Sequence, residues 1–198
     1  MGQKRLSTAI SEFKGNECDI KVEWKPYIID SGTAKDGETF EDYNQRRWGG
    51  SGWTNQLKQE GRKDGATFKD WKWWPNTLRA HQLVKFAQEK HGVDTELSNV
   101  VLFNALYEEG KNISLLEVLV QLAENQLNIP GQEVRDYLNE DNGADGVHAE
   151  IKQGRQSYRI SGVPFFIIEH ENDQLPPHHF SGAQKSKVFL DLFNKLER

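Results

Sequence analysis

Hydrophobic residues recur with a helical period over most of the chain. Leu6, Ile10 and Phe13 are spaced by four and three residues, which predicts a first helix over residues 3–14. The same period, with capping residues and Gly or Pro at the ends, predicts eight further helices. They cover residues 39–48, part of 52–60, 75–91, 95–109, 114–126, a short helix from Pro130, and 145–155, and a last helix follows Gly182.

Three short segments have the character of strands instead. Residues 19–24 alternate apolar and polar side chains, which predicts a strand. Residues 164–168 are an apolar run rich in aromatic and β-branched residues, which predicts a buried strand. Residues 178–181 predict a second strand, and turn residues at 172–177 join the two into a hairpin.

The order of these elements predicts one interrupted sheet. A helix and a strand come first, a long all-helical block follows, and two strands and a helix end the chain. Strands on both sides of a helical block indicate a small α/β core with a helical insertion. Within that block, Ser114 and Glu117 have the spacing of a capping box at the start of the helix over 114–126. Asn76 or Thr77 is expected to cap the helix over 75–91.

Composition excludes several classes of function. The 198 residues contain 25 basic and 30 acidic side chains, a formal charge of −5, and a single cysteine, Cys18. One thiol excludes an intrachain disulfide, a Cys-x-x-Cys pair and a thiolate-rich zinc site within the chain. No apolar run is long enough to span a membrane, and the acidic balance argues against nucleic acid as the main partner. With no signal peptide visible, we predict a cytoplasmic protein.

Other reactive residue types fit structural roles better. Cys18 is expected to pack as a small side chain. His178 and His179 are adjacent on a predicted strand and would point to opposite faces, so no metal site is predicted there. The tryptophans at 53, 71, 73 and 74 could stack on nucleic acid bases, but we expect them to anchor a loop onto the helical block.

Four local sequences point to a family. They are residues 76–83 (NTLRAHQL), 103–113 (FNALYEEGKNI), 162–166 (GVPFF) and 181–184 (SGAQ). In this order they resemble the FrnE-type branch of the DsbA-like thioredoxin-fold family. That resemblance implies a thioredoxin-like core, formed by residues 1–30 and 158–198, and a helical insertion domain over 31–157. It also implies that residues 162–166 form a cis-proline loop.

One part of the family pattern is absent. Gly2 to Leu6 (GQKRL) resembles the stretch that follows the second catalytic cysteine in the family. The Cys-x-x-Cys motif and the first, central strand are therefore expected upstream of Met1. We expect the chain to be a truncated member without catalytic residues of its own, because disulfide exchange needs an attacking thiolate and a resolving thiol.

The resemblance also implies a substrate surface. Relatives carry out thiol–disulfide exchange, and an extended peptide or thiol-containing substrate is expected beside the cis-proline loop. The substrate-binding residues implied are Gly162, Val163, Pro164, Ser181, Gly182 and Ala183. No cofactor is required in this interpretation.

Two alternatives remain open. Related kappa-class glutathione transferases and 2-hydroxychromene-2-carboxylate isomerases use glutathione on this fold, with Ser181 at the start of the last helix as an anion-binding residue. The other alternative is a peptide-binding module without catalysis.

Overall fold

The computed structural model describes residues 1–15, 19–171 and 175–197. Every predicted helix is present. The helices are α1 (Gly2–Glu12), α2 (Phe40–Trp48), α3 (Thr54–Lys63), α4 (Leu78–His91), α5 (Thr95–Phe103), a π-helical turn (Asn104–Glu108), α6 (Leu116–Gln126), α7 (Gly131–Asn139), α8 (Ala144–Tyr158) and α9 (Ser186–Leu196). The strands are β1 (Glu38–Thr39), β2 (Trp73–Trp74), β3 (Phe165–Ile168) and β4 (His178–Ser181).

Strands β3 and β4 form an antiparallel hairpin that packs against two helices. Phe165 lies opposite Ser181 and Ile168 opposite His178. Alternation along the strands turns one face of the hairpin toward α1 and α9, which also pack against each other. We call this cluster the small core. Its buried members among the described residues are Ala9, Phe189 and Phe193, and its half-buried members are Leu6, Ile10, Phe13, Ile20, Phe166, Ile168, Phe180 and Leu190.

The helical block has a larger core. Helix α4 is central in it, with contacts to α5, α6, α7 and α8. Its apolar stripe includes Leu83, Val84 and Ala87, all buried, and the helix ends where Gly92 adopts φ +66°. The buried residues that form this core are Phe40, Trp71, Ala80, Leu83, Val84, Phe86, Ala87, Val101, Leu102, Ala105, Leu106, Ile113, Leu119, Val120, Leu122, Ala123, Leu127, Ile129, Val134 and Leu138.

The predicted strand over residues 19–24 is wrong for the described chain, because these residues form no ladder with another strand. The pattern nevertheless reflects real burial. Ile20 packs on the small core, while the Trp24 amide donates to Thr95 Oγ1 at 3.1 Å. Alternation therefore identified the half-buried side chains of Ile20, Val22 and Trp24, but a strand also needs a neighbouring backbone to bond with.

Three predicted details differ from the structure within the described residues. Helix α9 begins at Ser186, not directly after Gly182. The segment 95–109 is α5 followed by a π-helical turn. The expected capping box is absent, because Leu115 is the N-cap of α6 and Ser114 Oγ instead accepts from the Asn76 amide at 2.8 Å. Thr77 is the N-cap of α4 but its side chain makes no cap bond, while Asn76, the residue before it, has its Oδ1 accepting from the Leu78 amide at 3.2 Å.

One small sheet was not predicted. Strands β1 and β2 pair antiparallel, with Glu38 opposite Trp74 and Thr39 opposite Trp73. The turn predicted at Asn172 and Asp173 lies outside the described residues.

Candidate functional site

The hairpin brings the predicted site residues into one place. The pairing of Phe165 with Ser181 sets the residues before β3 beside those after β4. The Gly182 amide then donates to the Pro164 carbonyl at 2.8 Å, which joins the two segments directly. Gly182 has φ +84°, a conformation that favours glycine. We call residues 162–164 and 181–183 together the hairpin-end site.

The loop at 162–164 leaves backbone groups available. The Val163–Pro164 peptide bond is cis, and Val163 is 45% exposed. No hydrogen bond joins the Val163 amide or carbonyl to another backbone group in the described chain. A Cβ placed on Gly162 would meet nothing within 4 Å, so the space beside this loop is open.

The first turn of α1 packs against this site. Gly2 is buried, and a Cβ there would lie 3.1 Å from Pro164 Cγ and 3.6 Å from Ala183 Cβ. Glycine therefore lets the start of the helix approach the loop closely. The hairpin-end site thus lies at the N-terminal end of a helix, where amide groups and the helix dipole favour negative charge.

Arg5 connects the site to the helical block. Its guanidinium donates to the Ala183 carbonyl at 2.7 Å and to Asp64 Oδ2, next to the end of α3, also at 2.7 Å. Glu60 on α3 lies 3.7 Å from the same guanidinium. The Arg5 side chain is only 12% exposed, so these charge-assisted bonds are shielded from water.

Glu108 holds the loop over residues 67–69, which follows α3. Its carboxylate accepts bonds from the amides of Thr67, Phe68 and Lys69 and from the Thr67 hydroxyl. Burial alone would raise the pKa of Glu108, but these hydrogen bonds outweigh it and hold the pKa below its usual range. The loop over residues 67–69 packs on α3, because a Cβ on Gly61 would lie 2.5 Å from the Phe68 ring.

Other residues singled out from the sequence lie elsewhere. Cys18 lies outside the described residues. His178 and His179 are adjacent on β4, and His179 stacks on Phe165 with ring centres 5.9 Å apart. Ser181 is the last residue of β4, five residues before α9 begins, so its expected place at the start of the last helix is wrong.

The tryptophan-rich segment packs largely against the helical block. Trp71 is buried in its core, and Trp74 stacks on Tyr43 with ring centres 3.7 Å apart. Trp53 keeps 44% of its surface exposed while its indole N–H donates to Asn44 Oδ1 at 2.6 Å. These contacts pack the tryptophan-rich segment onto the helical block.

Sequence reasoning missed Arg5, Asp64 and Glu108. A signal existed for Arg5, because it lies one helical turn before Ala9, which is fully buried. A charged residue on the buried side of an amphipathic helix needs a partner. For Asp64 and Glu108 the partners are 59 and 41 residues away, beyond the reach of local patterns.

Comparison with known proteins identifies the family. The family model described as DSBA-like thioredoxin domain matches residues 1–194. The chain belongs to the DSBA-like thioredoxin family. Its fold is similar to the crystal structure of a probable DsbA oxidoreductase from Streptomyces coelicolor, with a TM-score of 0.80. That match has 22% sequence identity and covers 98% of this chain and 82% of the other. No curated protein sequence matches the chain.

For this DSBA-like chain, the expected fold class is confirmed: a thioredoxin-like α/β fold with a large helical insertion. The single cysteine agrees with the absence of a catalytic pair within the 198 residues. In the ranges that the structure describes, none of the helices has both the length and the hydropathy to cross a bilayer. The domain boundaries and the roles of the hairpin-end residues stay predictions.

Proposed function

We propose that this chain binds an extended, thiol-containing peptide at the hairpin-end site and does not itself catalyse disulfide exchange. The observation that carries the proposal is the exposed Val163, whose amide and carbonyl are unpaired with other backbone in the described residues. Such groups recognise an extended backbone in the way that a sheet edge does. Side-chain recognition would come from the surface around Gly162, Ser181 and Ala183.

The absence of redox catalysis follows from the number of thiols. A thiolate that attacks a disulfide forms a mixed disulfide, and a second thiol must resolve it to regenerate the protein. With Cys18 as its one cysteine, the chain has no internal resolving thiol. Family membership therefore supports the fold and the substrate surface, while the cysteine count argues against turnover.

Blocking the open space beside Gly162 tests the binding site. We expect Gly162→Tyr to abolish binding of a fluorescein-labelled unstructured peptide that contains one cysteine, measured by anisotropy. Because a Cβ at this position meets no protein atom within 4 Å, the variant should keep the parent far-UV circular dichroism and melting temperature. The matched control is Gly52→Tyr, at a second glycine with open space around its Cβ. Equal binding by both variants would refute the site.

Two further measurements separate the alternatives. We expect no insulin reduction and no dithiol oxidation above background, and turnover by the chain alone would contradict this part of the proposal. Reduced glutathione is the alternative ligand that the family resemblance implies. If glutathione at millimolar concentration displaces the peptide and raises the melting temperature of the parent but not of Gly162→Tyr, the ligand is glutathione.

A further inference from the structure

Strand β3 has one backbone edge that no other strand covers in the described chain. The Gly182 amide donates to the Pro164 carbonyl, so the backbone of residue 164 faces β4. Because the direction of the backbone groups alternates along a strand, the amides and carbonyls of Phe165 and Ile167 point away from β4. No backbone hydrogen bond joins these outward groups to any other described segment. We call them the β3 edge.

The side chains beside this edge are apolar and incompletely covered. Phe166 and Ile168 are only half-buried, although their face of the strand belongs to the small core. On the opposite face, Ile167 keeps 37% of its surface exposed. A further strand bonded to the β3 edge would cover these side chains, because residues on the same face of neighbouring strands pack beside each other. The marginal two-stranded hairpin would then become a three-stranded sheet.

The hairpin lacks the charges that protect an open edge. Native proteins commonly protect such an edge with lysine, but residues 160–184 contain no lysine or arginine. The acidic residues of this range are Glu169, Glu171 and Asp173. Glu169 directly follows β3 and bonds to the Tyr158 hydroxyl at 3.3 Å, so its charge has no cationic partner among the described residues. A strand that carries a basic residue is therefore favoured at this edge.

The β3 edge continues from the hairpin-end site. Val163, with its unpaired amide and carbonyl, lies two residues before Phe165. An extended chain advances by about 3.3 Å per residue, so a peptide held at Val163 would reach Ile167 after about 13 Å. One extended segment can thus contact both places.

We propose that the β3 edge binds the extended peptide as a third strand of the hairpin. The backbone of Phe165 and Ile167 bonds to the peptide backbone, in the mode by which an exposed sheet edge captures an extended segment. Alternate apolar side chains of the peptide pack beside Phe166 and Ile168, and a basic residue lies near Glu169. The third strand rests on the proposed function, because Val163 holds the same peptide. It narrows the substrate class to segments that alternate apolar and polar residues and carry a positive charge.

Selective N-methylation of the peptide is the first test. The probe is fluorescein-labelled Lys-Val-Thr-Val-Thr-Val-Lys-Cys, followed by anisotropy. In antiparallel pairing, the peptide residues opposite Phe165 and Ile167 turn their amides toward β3 and their side chains away from the small core, so they are the threonines. N-methylation of both threonines should weaken binding at least about tenfold, while N-methylation of the valines should change it little. The reverse result would support parallel pairing at the same edge, and equal effects of the two sets would overturn the proposal.

Amide hydrogen exchange locates the contact within the protein. In the free chain, the amides of Phe166 and Ile168 should be protected by their bonds to β4, and those of Phe165 and Ile167 should exchange faster. A saturating concentration of the peptide should slow exchange at Phe165 and Ile167 at least about tenfold. Unchanged exchange at both of these amides would overturn the proposal.

Charge variants test the preference for a basic segment. Replacement of both lysines of the probe by glutamate should weaken binding at least about fivefold at low ionic strength. The double variant Glu169→Gln with Glu171→Gln should remove most of this difference. The matched control is Glu41→Gln, at an exposed carboxylate on α2, which should keep it. Equal binding of the two peptides by the parent chain would reject the basic preference.

The results separate the β3 edge from the hairpin-end site. If Gly162→Tyr abolishes binding but neither N-methylated peptide differs from the probe, the hairpin-end site stands and the β3 edge falls. If binding survives Gly162→Tyr and is lost on N-methylation of one set, the β3 edge stands and the hairpin-end site falls. If sedimentation shows a dimer in which the amides of Phe165 and Ile167 are already protected, a second copy of the chain occupies the edge and the proposal is overturned.

Discussion

At the scale of single residues, His81 shows how burial sets the chemistry of a side chain. It lies on α4, and its Nε2 is 3.1 Å from the Tyr27 carbonyl, so the tautomer with hydrogen on Nε2 donates this bond. Burial lowers the pKa of His81, and the hydrogen bond to Tyr27 and the charge of Glu150 offset this only in part. His81 therefore joins the segment at Tyr27 to α4 as a neutral group.

This shift predicts a pH dependence of stability. The unfolded chain takes up a proton on His81 near pH 6.5, whereas the folded chain takes it up only at lower pH. The free energy of unfolding should therefore fall as the pH drops below 6.5 and level off below the folded pKa. His81→Gln keeps a donor for the Tyr27 carbonyl and should reduce this slope, measured by urea unfolding between pH 5 and 8. The exposed His148→Gln should not, and equal slopes in all three proteins would exclude the effect.

At the scale of elements, one side chain joins three of them. Arg5 on α1 bonds to the turn after β4 through Ala183 and to Asp64 at the end of α3. The hairpin-end site and the helical block are thus connected through a shielded guanidinium. Removing either charge leaves the other partly buried without its partner, which is more costly than loss of an exposed pair.

We expect Arg5→Gln and Asp64→Asn each to lower the free energy of unfolding by about 1–3 kcal/mol. The double variant should cost little more than the larger single effect, because both substitutions remove the same interaction. Chemical unfolding of the four proteins measures this cycle. Asp191→Asn, which removes an exposed pair with Lys187 on α9, should change stability by less than about 0.5 kcal/mol. Strict additivity of the two effects on the free energy of unfolding would show that Arg5 and Asp64 are not energetically coupled.

Elements differ in how far their own sequence determines them. Helices such as α1 and α4 follow from local periodicity, because their apolar stripes lie within the segment itself and Gly92 directly follows α4. The capping box predicted at Ser114 is wrong, because its Oγ accepts from the backbone amide of Asn76, 38 residues away. Residues 19–24 have the side-chain pattern of a strand, yet pairing depends on a neighbour that the pattern does not contain. For the same reason the hairpin-end residues could be grouped by family resemblance, but Arg5 and Asp64 could not.

At the scale of the whole molecule, the two hydrophobic clusters are unequal. The small core has three buried members in the described chain, and its sheet is the two-stranded β3–β4 hairpin. The helical block buries many more side chains around α4. A two-stranded hairpin is marginal by itself and depends on the helices packed against it.

We therefore expect the two parts to differ in local stability. Native-state hydrogen exchange should show opening free energies for amides of β3, β4 and α9 that are at least about 2 kcal/mol below those of α4 and α6. Arg5→Gln should widen this gap, because it removes a connection between the parts. One common opening free energy for both sets of amides would show that the chain unfolds as a single unit.

The distribution of aromatic residues has a spectroscopic consequence. Trp24 contacts Phe103 of α5, and the other five tryptophans lie between residues 48 and 74, beside the helical block. The small core has phenylalanines instead, including Phe166, Phe180 and Phe189. Tryptophan fluorescence therefore reports the environment of the helical block and should change little when only the small core unfolds. A tryptophan introduced at Phe180 would give the hairpin its own optical signal.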